Sequence, residues 1–186
     1  MRKVACVLGA LMLVACSNRD PYVTSAGETP SGSWRIFHQV DKITGAELPS
    51  ASVRALASQT YVANAAWSVM QLTCFDKQPI VRFGFEFKIG TSKDTILGYR
   101  FDDKPGHESV AARVVAGDVS MIIDNPVAVA EFVNEMTGSK KVYVRIRSMA
   151  VGRTTAEYPL DGSAPALQAA FAGCPMTIAQ PNKRTS

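Results

Sequence analysis

The segment IVRFGFEFK, Ile80 to Lys88, constrains the fold more than any other part of the chain. Val81, Phe83, Phe85 and Phe87 alternate with Arg82, Gly84, Glu86 and Lys88. A strand here buries an aromatic face and wets the other. KVYVRIRS, Lys141 to Ser148, repeats the pattern, with Val142, Val144 and Ile146 facing in and Arg145 and Arg147 facing out. Weaker period-two stretches predict strands at Trp34–Val40, Ser52–Ser58, Ala66–Thr73, Thr95–Phe101, Val110–Val115, Val119–Ile123 and Thr154–Leu160. Two segments are helical instead. Asp124-Asn125-Pro126 reads as a stop and a cap before Val127–Met136, whose Val129, Phe132, Val133 and Met136 share a face. Ser163 is the expected cap of a second helix to Ala172, with Leu167, Ala170 and Phe171 inward and Gly173 ending it. Many strands and two late helices predict an α+β, β-rich fold, an antiparallel sheet or sandwich.

The chain starts differently. Arg2 and Lys3 precede an apolar run from Val4 to Ala15, which has signal-peptide length and is well short of the roughly twenty residues that span a bilayer as a helix. Leu13-Val14-Ala15-Cys16 resembles the lipobox of bacterial lipoproteins. That resemblance implies a diacylglycerol on the Cys16 thiol, cleavage before Cys16 and acylation of the new amine. Two or more chains then anchor the protein to a lipid bilayer effectively for good. An ordinary signal peptide is the alternative. Ser17, where inner-membrane retention would use Asp, predicts the outer membrane, facing the periplasm. The expected organisation is a signal peptide over 1–15, a lipidated disordered tether over 16–33, one β-rich domain over 34–178 and a flexible tail over 179–186. The tether is assigned on its Ser, Gly, Pro and Thr content.

With 186 residues and a net charge of +4, which falls to +2 once Arg2 and Lys3 are removed, the chain gives no reason to expect nucleic acid as a partner. Of four cysteines, Cys6 leaves with the signal peptide and Cys16 is the lipidation site. Cys74 and Cys174 remain, two thiols in an oxidising compartment, and a disulfide is the expectation. A pair of buried free thiols is the alternative. No metal is expected, because neither His38 nor His107 has a paired His/Cys spacing around it, and no cofactor motif is present.

YRFDDKPGHE, Tyr99 to Glu108, is the stretch most like an active site. Asp102, Asp103, His107 and Glu108 read as acid/base partners, as calcium ligands, or as ordinary turn residues between two strands. Arg100, Asp102, Asp103 and His107 are carried forward as candidate ligand-binding residues. Arg82, Arg100, Arg113, Arg145 and Arg147 occupy polar strand positions, either as a solvated face or, side by side, as an anion-binding one. No Gly-x-Ser-x-Gly elbow or phosphate loop accompanies them, and no enzymatic activity is expected.

The order of features resembles the small periplasmic accessory proteins of type VI secretion. It rests on Trp34, Leu72-Thr73-Cys74, Tyr99-Arg100-Phe101-Asp102, Phe132, Val142-Tyr143-Val144-Arg145, Tyr158-Pro159-Leu160-Asp161-Gly162 and Cys174. The resemblance implies a secretion-associated accessory role. The leading expectation is therefore a non-enzymatic envelope lipoprotein that binds a protein partner. An envelope hydrolase using residues 102–108 and a phage-type exclusion or inhibitor lipoprotein are the alternatives.

Overall fold

The computed structural model describes residues 23–175. The expected lipidation site Cys16, the signal-peptide region and the tail lie outside them. Among the described residues the elements run β1 (Val23–Ser31), β2 (Trp34–Asp41), β3 (Ser50–Gln59), β4 (Ala66–Phe75), β5 (Gln78–Phe85), β6 (Thr95–Phe101), β7 (His107–Val110), β8 (Arg113–Val115), β9 (Ser120–Ile123), α1 (Pro126–Met136), β10 (Lys141–Ser148), β11 (Gly152–Pro159) and α2 (Ser163–Ala170). The α+β, β-rich expectation holds. So does the disulfide: Cys74 and Cys174 are bonded with their Cα atoms 5.8 Å apart, inside the range such a bridge requires.

All strand pairs are antiparallel, in the order β7-β6-β10-β11-β3-β4-β5-β9-β8, with the β1–β2 hairpin joined to β3. β3 is shared: Ser50–Val53 pairs with β2, and Ala57–Gln59 pairs with β11. The sheet cannot be flat. β5 and β6 stand five places apart in it, about 24 Å in a flat sheet. Yet Phe132 of α1 lies 6.0 Å from Phe83 of β5 and 5.0 Å from Phe101 of β6, centroid to centroid. The sheet therefore curls around α1, and the aromatic face read from Ile80–Lys88 becomes the inside of the curl.

The two ends of the sheet confirm the curl. The stretch Val110–Val115, expected as one strand, is two: β7 closes one edge and β8 the other. Only Ala111 and Ala112 separate them, a span of about 10 Å at full extension. The chain steps across the gap between the edges there, which is why one period-two pattern serves two partners. Ser92, in the β5–β6 loop, bonds both the amide and the carbonyl of Val114 and stitches this seam.

Residues 23–31 correct the tether expectation. They form β1, paired with β2 along its whole length with a bulge between Ser25 and Gly27. A backbone ladder needs no apolar side chains, so Ser, Gly and Thr suffice, and Pro30 is tolerated because β1 is an edge strand. The hairpin is also docked: the Ser33 amide donates to the Asp161 carbonyl (3.0 Å) and the Ser31 hydroxyl to the Gly162 carbonyl (3.0 Å).

This contact explains a second correction. α2 is capped by Gly162 rather than Ser163, with no side-chain cap bond. Gly162 sits at φ 80°, and a Cβ there would land on the Ser31 carbonyl. Only glycine permits this approach. Ser163 is instead buried. α1 follows its sequence: the Asn125 carboxamide accepts from the amides of Val127 and Ala128, both at 3.1 Å, and Pro126 opens the helix.

Asp94 locks the β5–β6 loop to the β10–β11 turn. Its carboxylate accepts from the Thr91 amide and hydroxyl (both 2.7 Å), the Ser148 hydroxyl (2.8 Å) and the Ala150 amide (3.3 Å). These bonds, the Thr91 hydroxyl foremost, hold its pKa at about 2, below the ordinary 3.8. The folded-state pKa is depressed, so the stabilisation is present above about pH 4 and is lost as pH falls towards 2. We expect the unfolding midpoint of Asp94→Asn to lie below wild type at pH 7 and the two to converge by pH 2. Parallel curves in chemical denaturation across that window would count against this role.

Candidate functional site

The active-site-like stretch 99–108 spans the end of β6, a turn and the start of β7, and the structure sends its four candidate acid/base residues to four different places. Asp102 leaves the strand at φ 45° and turns its carboxylate onto the amides of Lys140 (3.1 Å) and Lys141 (3.0 Å). Those bonds, the one from Lys140 first, lower its pKa, and its role is to hold the entry to β10 against the end of β6. Asp103 is exposed in the turn. Glu108 lies on the wet face of the sheet, where it pairs with Arg145 and, at 3.0 Å, with Arg147. His107 points the other way, towards α1. The four groups do not converge, so residues 102–108 do not assemble an acid/base constellation.

The arginines are likewise dispersed. Arg82 donates to Ser120 (3.0 Å) and Gln71 (3.4 Å), and Arg113 to Asp124 (2.7 Å). Arg145 and Arg147 share Glu108. Such exposed pairs contribute at most about 1 kcal/mol each, but they occupy the guanidinium groups that an anion would need. Among the described residues Arg82 and Arg100 are the two of the five that form no ion pair, and Arg82 is held by its neutral partners. Arg100 stands opposite Tyr143 in the β6–β10 pairing and lines a pocket of about 290 Å3 with Gly98, Arg145 and His107. Of the four candidate ligand-binding residues, Arg100 and His107 therefore meet at one pocket, and Asp102 and Asp103 do not line it.

His107 has partners that sequence spacing concealed. Its Nε2 lies 2.5 Å from Oε1 of Glu135, and its Nδ1 3.6 Å from Oε1 of Glu131. The ring stacks on Tyr99 at 4.6 Å and 24°, and Tyr99 packs edge-on against Phe132 at 4.9 Å. α1 explains the arrangement. Its buried stripe, Val129, Phe132, Val133 and Met136, presses into the curl. Glu131 and Glu135 sit one helical turn apart at the border of that stripe, facing β7. Lys104 closes the helix end, its Nζ donating to the Glu135 carbonyl (3.0 Å) and the Ser139 hydroxyl (2.9 Å).

Tyr99, like Trp34 and Tyr158, carries a buried side-chain polar atom without a partner among the described residues. It is 3% exposed, and the atom is its hydroxyl. Leaving such a group unsatisfied costs on the order of 1–3 kcal/mol. Burial raises its pKa far above the ordinary value, and the charges of Glu131 and Glu135 raise it further. The only signal in the sequence for this cluster was the i, i+4 repeat of Glu131 and Glu135 on a helix otherwise without acidic residues. His38, by contrast, stays in the exposed β1–β2 hairpin, 3.2 Å from the Thr29 hydroxyl.

No family model matches the chain, and no curated protein matches it. Among solved structures, the fold is similar to the crystal structure of invasion associated protein B from Bartonella henselae. The TM-score is 0.50 at 13% identity, over 79% of this chain and 97% of that one. A likeness at that identity is one of fold alone: the curled, helix-filled antiparallel sheet has been seen before, carrying a very different sequence.

Proposed function

We propose that this chain is a bacterial envelope lipoprotein, anchored through acylated Cys16 and facing the periplasm, whose domain binds another envelope protein and turns over no substrate. One observation carries the compartment: the Cys74–Cys174 disulfide, a bond that persists in oxidising surroundings and is rare where thiols are kept reduced. The lipobox supplies the anchor, and Ser17 the outer membrane. Binding is supported by the wet face of the central sheet. Leu56 and Trp67 are directly paired across β3 and β4 there, both more than half exposed, with Arg54 one step along the same face. A tryptophan beside an arginine and an aliphatic side chain is the composition of protein-contact centres rather than of ordinary solvated strands. The partner suited to it offers an apolar groove with an acidic rim. The resemblance to type VI secretion accessory proteins makes components of that apparatus the first partners to try.

The test uses a photo-crosslinking residue in place of Trp67, in cells producing the full chain. A single discrete adduct, lost when Leu56 is changed to Asp, supports the reading. Equal crosslinking with the Leu56→Asp change, or steady turnover of a peptidoglycan substrate by the purified protein, overturns it. Cys16→Ser should move the protein from the membrane to the soluble fraction with its unfolding midpoint unchanged. Persistence in the membrane would remove the anchor from the proposal.

A further inference from the structure

The geometry points to a divalent metal site, best suited to Zn2+, built from His107, Glu131 and Glu135. One ligand atom from each lies within 4.8 Å of the other two. One imidazole and two carboxylates form a nitrogen/oxygen donor set that zinc accepts, with water free to complete a four-coordinate shell. Metal–ligand bonds of about 2.0–2.2 Å set tetrahedral ligand atoms about 3.4 Å apart, so Glu135 must back away from Nε2, which it meets at 2.5 Å, while the wider gaps of the cluster close. The side-chain ends have room to do so: the side chains are 25%, 55% and 25% exposed in that order, which also leaves an open side for ion entry.

Two features make more of this cluster than an ion pair. The carboxylates stand at i and i+4 on α1, where like charges repel unless a cation lies between them. The imidazole ring donates to both at once only in its cationic form, since a neutral ring carries a single N–H. A metal ion satisfies all three groups together. The second feature is Tyr99. Its buried hydroxyl has no partner among the described residues, and its ring stacks on His107. A donor in that position suits the water on a bound metal or the free oxygen of a ligating carboxylate, the supporting hydrogen bond that metal sites characteristically have. Bound metal would fasten the edge strand β7 to α1, beside the seam where the sheet ends approach. The site is independent of the partner-binding face, which lies on the other side of the sheet.

The experiment takes the full chain in detergent, without a polyhistidine tag, stripped with EDTA and titrated with Zn2+ by calorimetry and with Co2+ by visible absorption. One equivalent of Zn2+ and Co2+ d–d bands of a tetrahedral nitrogen/oxygen site are expected. Glu131→Gln, whose altered end is solvent-exposed and leaves the fold intact, should weaken Zn2+ at least tenfold, and His107→Ala should abolish the cobalt bands. Tyr99→Phe should weaken binding by about tenfold while keeping one equivalent. His38→Ala should change nothing. Absence of stoichiometric binding, or equal affinity in wild type and Glu131→Gln, would overturn the site and leave His107 paired with Glu135 alone.

Discussion

Phe132→Ala is expected to destabilise the protein by about 3–5 kcal/mol. The side chain is fully buried on α1 and meets Phe83, Tyr99 and Phe101 edge-on, at 6.0, 4.9 and 5.0 Å. Phe83 comes from β5 and the other two rings from β6, strands far apart in the sheet, so Phe132 fills the space that curling creates. Truncation removes the ring's transfer free energy and its edge-to-face contacts, and it leaves a cavity that a closed sheet cannot collapse into. Phe132→Leu should recover about half of the loss, because it restores volume but not aromatic geometry. Urea denaturation followed by tryptophan fluorescence reports both, since Trp34 is fully buried. A cost below about 1 kcal/mol for the alanine variant would mean that α1 does not fill the curl as described.

The second large effect is expected at the disulfide. Cys74→Ser and Cys174→Ser should each cost about 2–5 kcal/mol, with the double variant no worse than either single one. The two cysteines are 100 residues apart, and in the chain-entropy model a loop of that size is worth up to about 4.7 kcal/mol. The structure adds a local reason. α2 is an eight-residue helix held by Ala166, Leu167, Ala170 and the adjoining Phe171. It has no side-chain cap, and Cys174 lies four residues beyond its end. Guanidinium melts of the oxidised protein give the cost. Hydrogen exchange at Ala166–Ala170 should rise in the single variants before the sheet opens. Alkylation of the unfolded, unreduced protein that labels Cys74 and Cys174 stoichiometrically would refute the bridge.

Much of the sheet was legible locally. Thr95–Phe101 and Lys141–Ser148 have the bounds that alternation predicts, and the Asn125-Pro126 start of α1 is encoded in two adjacent residues. The strand from Ile80 stops earlier than expected, at Phe85. Phe87 still packs on the core from the following bend. The candidate site was legible only in part. Arg100 and His107 do meet at a pocket, but Asp102 is engaged with backbone amides. The charged partners of His107 lie 24 and 28 positions away, on another element. No spacing rule connects a strand residue to a helix that crosses it.

Alternation, caps and cysteine count therefore determined by themselves which side chains face inward, where α1 begins, and that Cys74 has one partner to choose. These are properties of a few neighbouring residues and of covalent chemistry, and they survive any arrangement of the strands. The tertiary structure alone decided that residues 23–31 become a strand, that Val110–Val115 divides between two sheet edges, and that Glu131 and Glu135 close on His107. Each of those depends on what stands beside the segment. A backbone ladder is sequence-tolerant, an edge has two possible neighbours, and a carboxylate takes its role from the group that the curl of the sheet brings within reach.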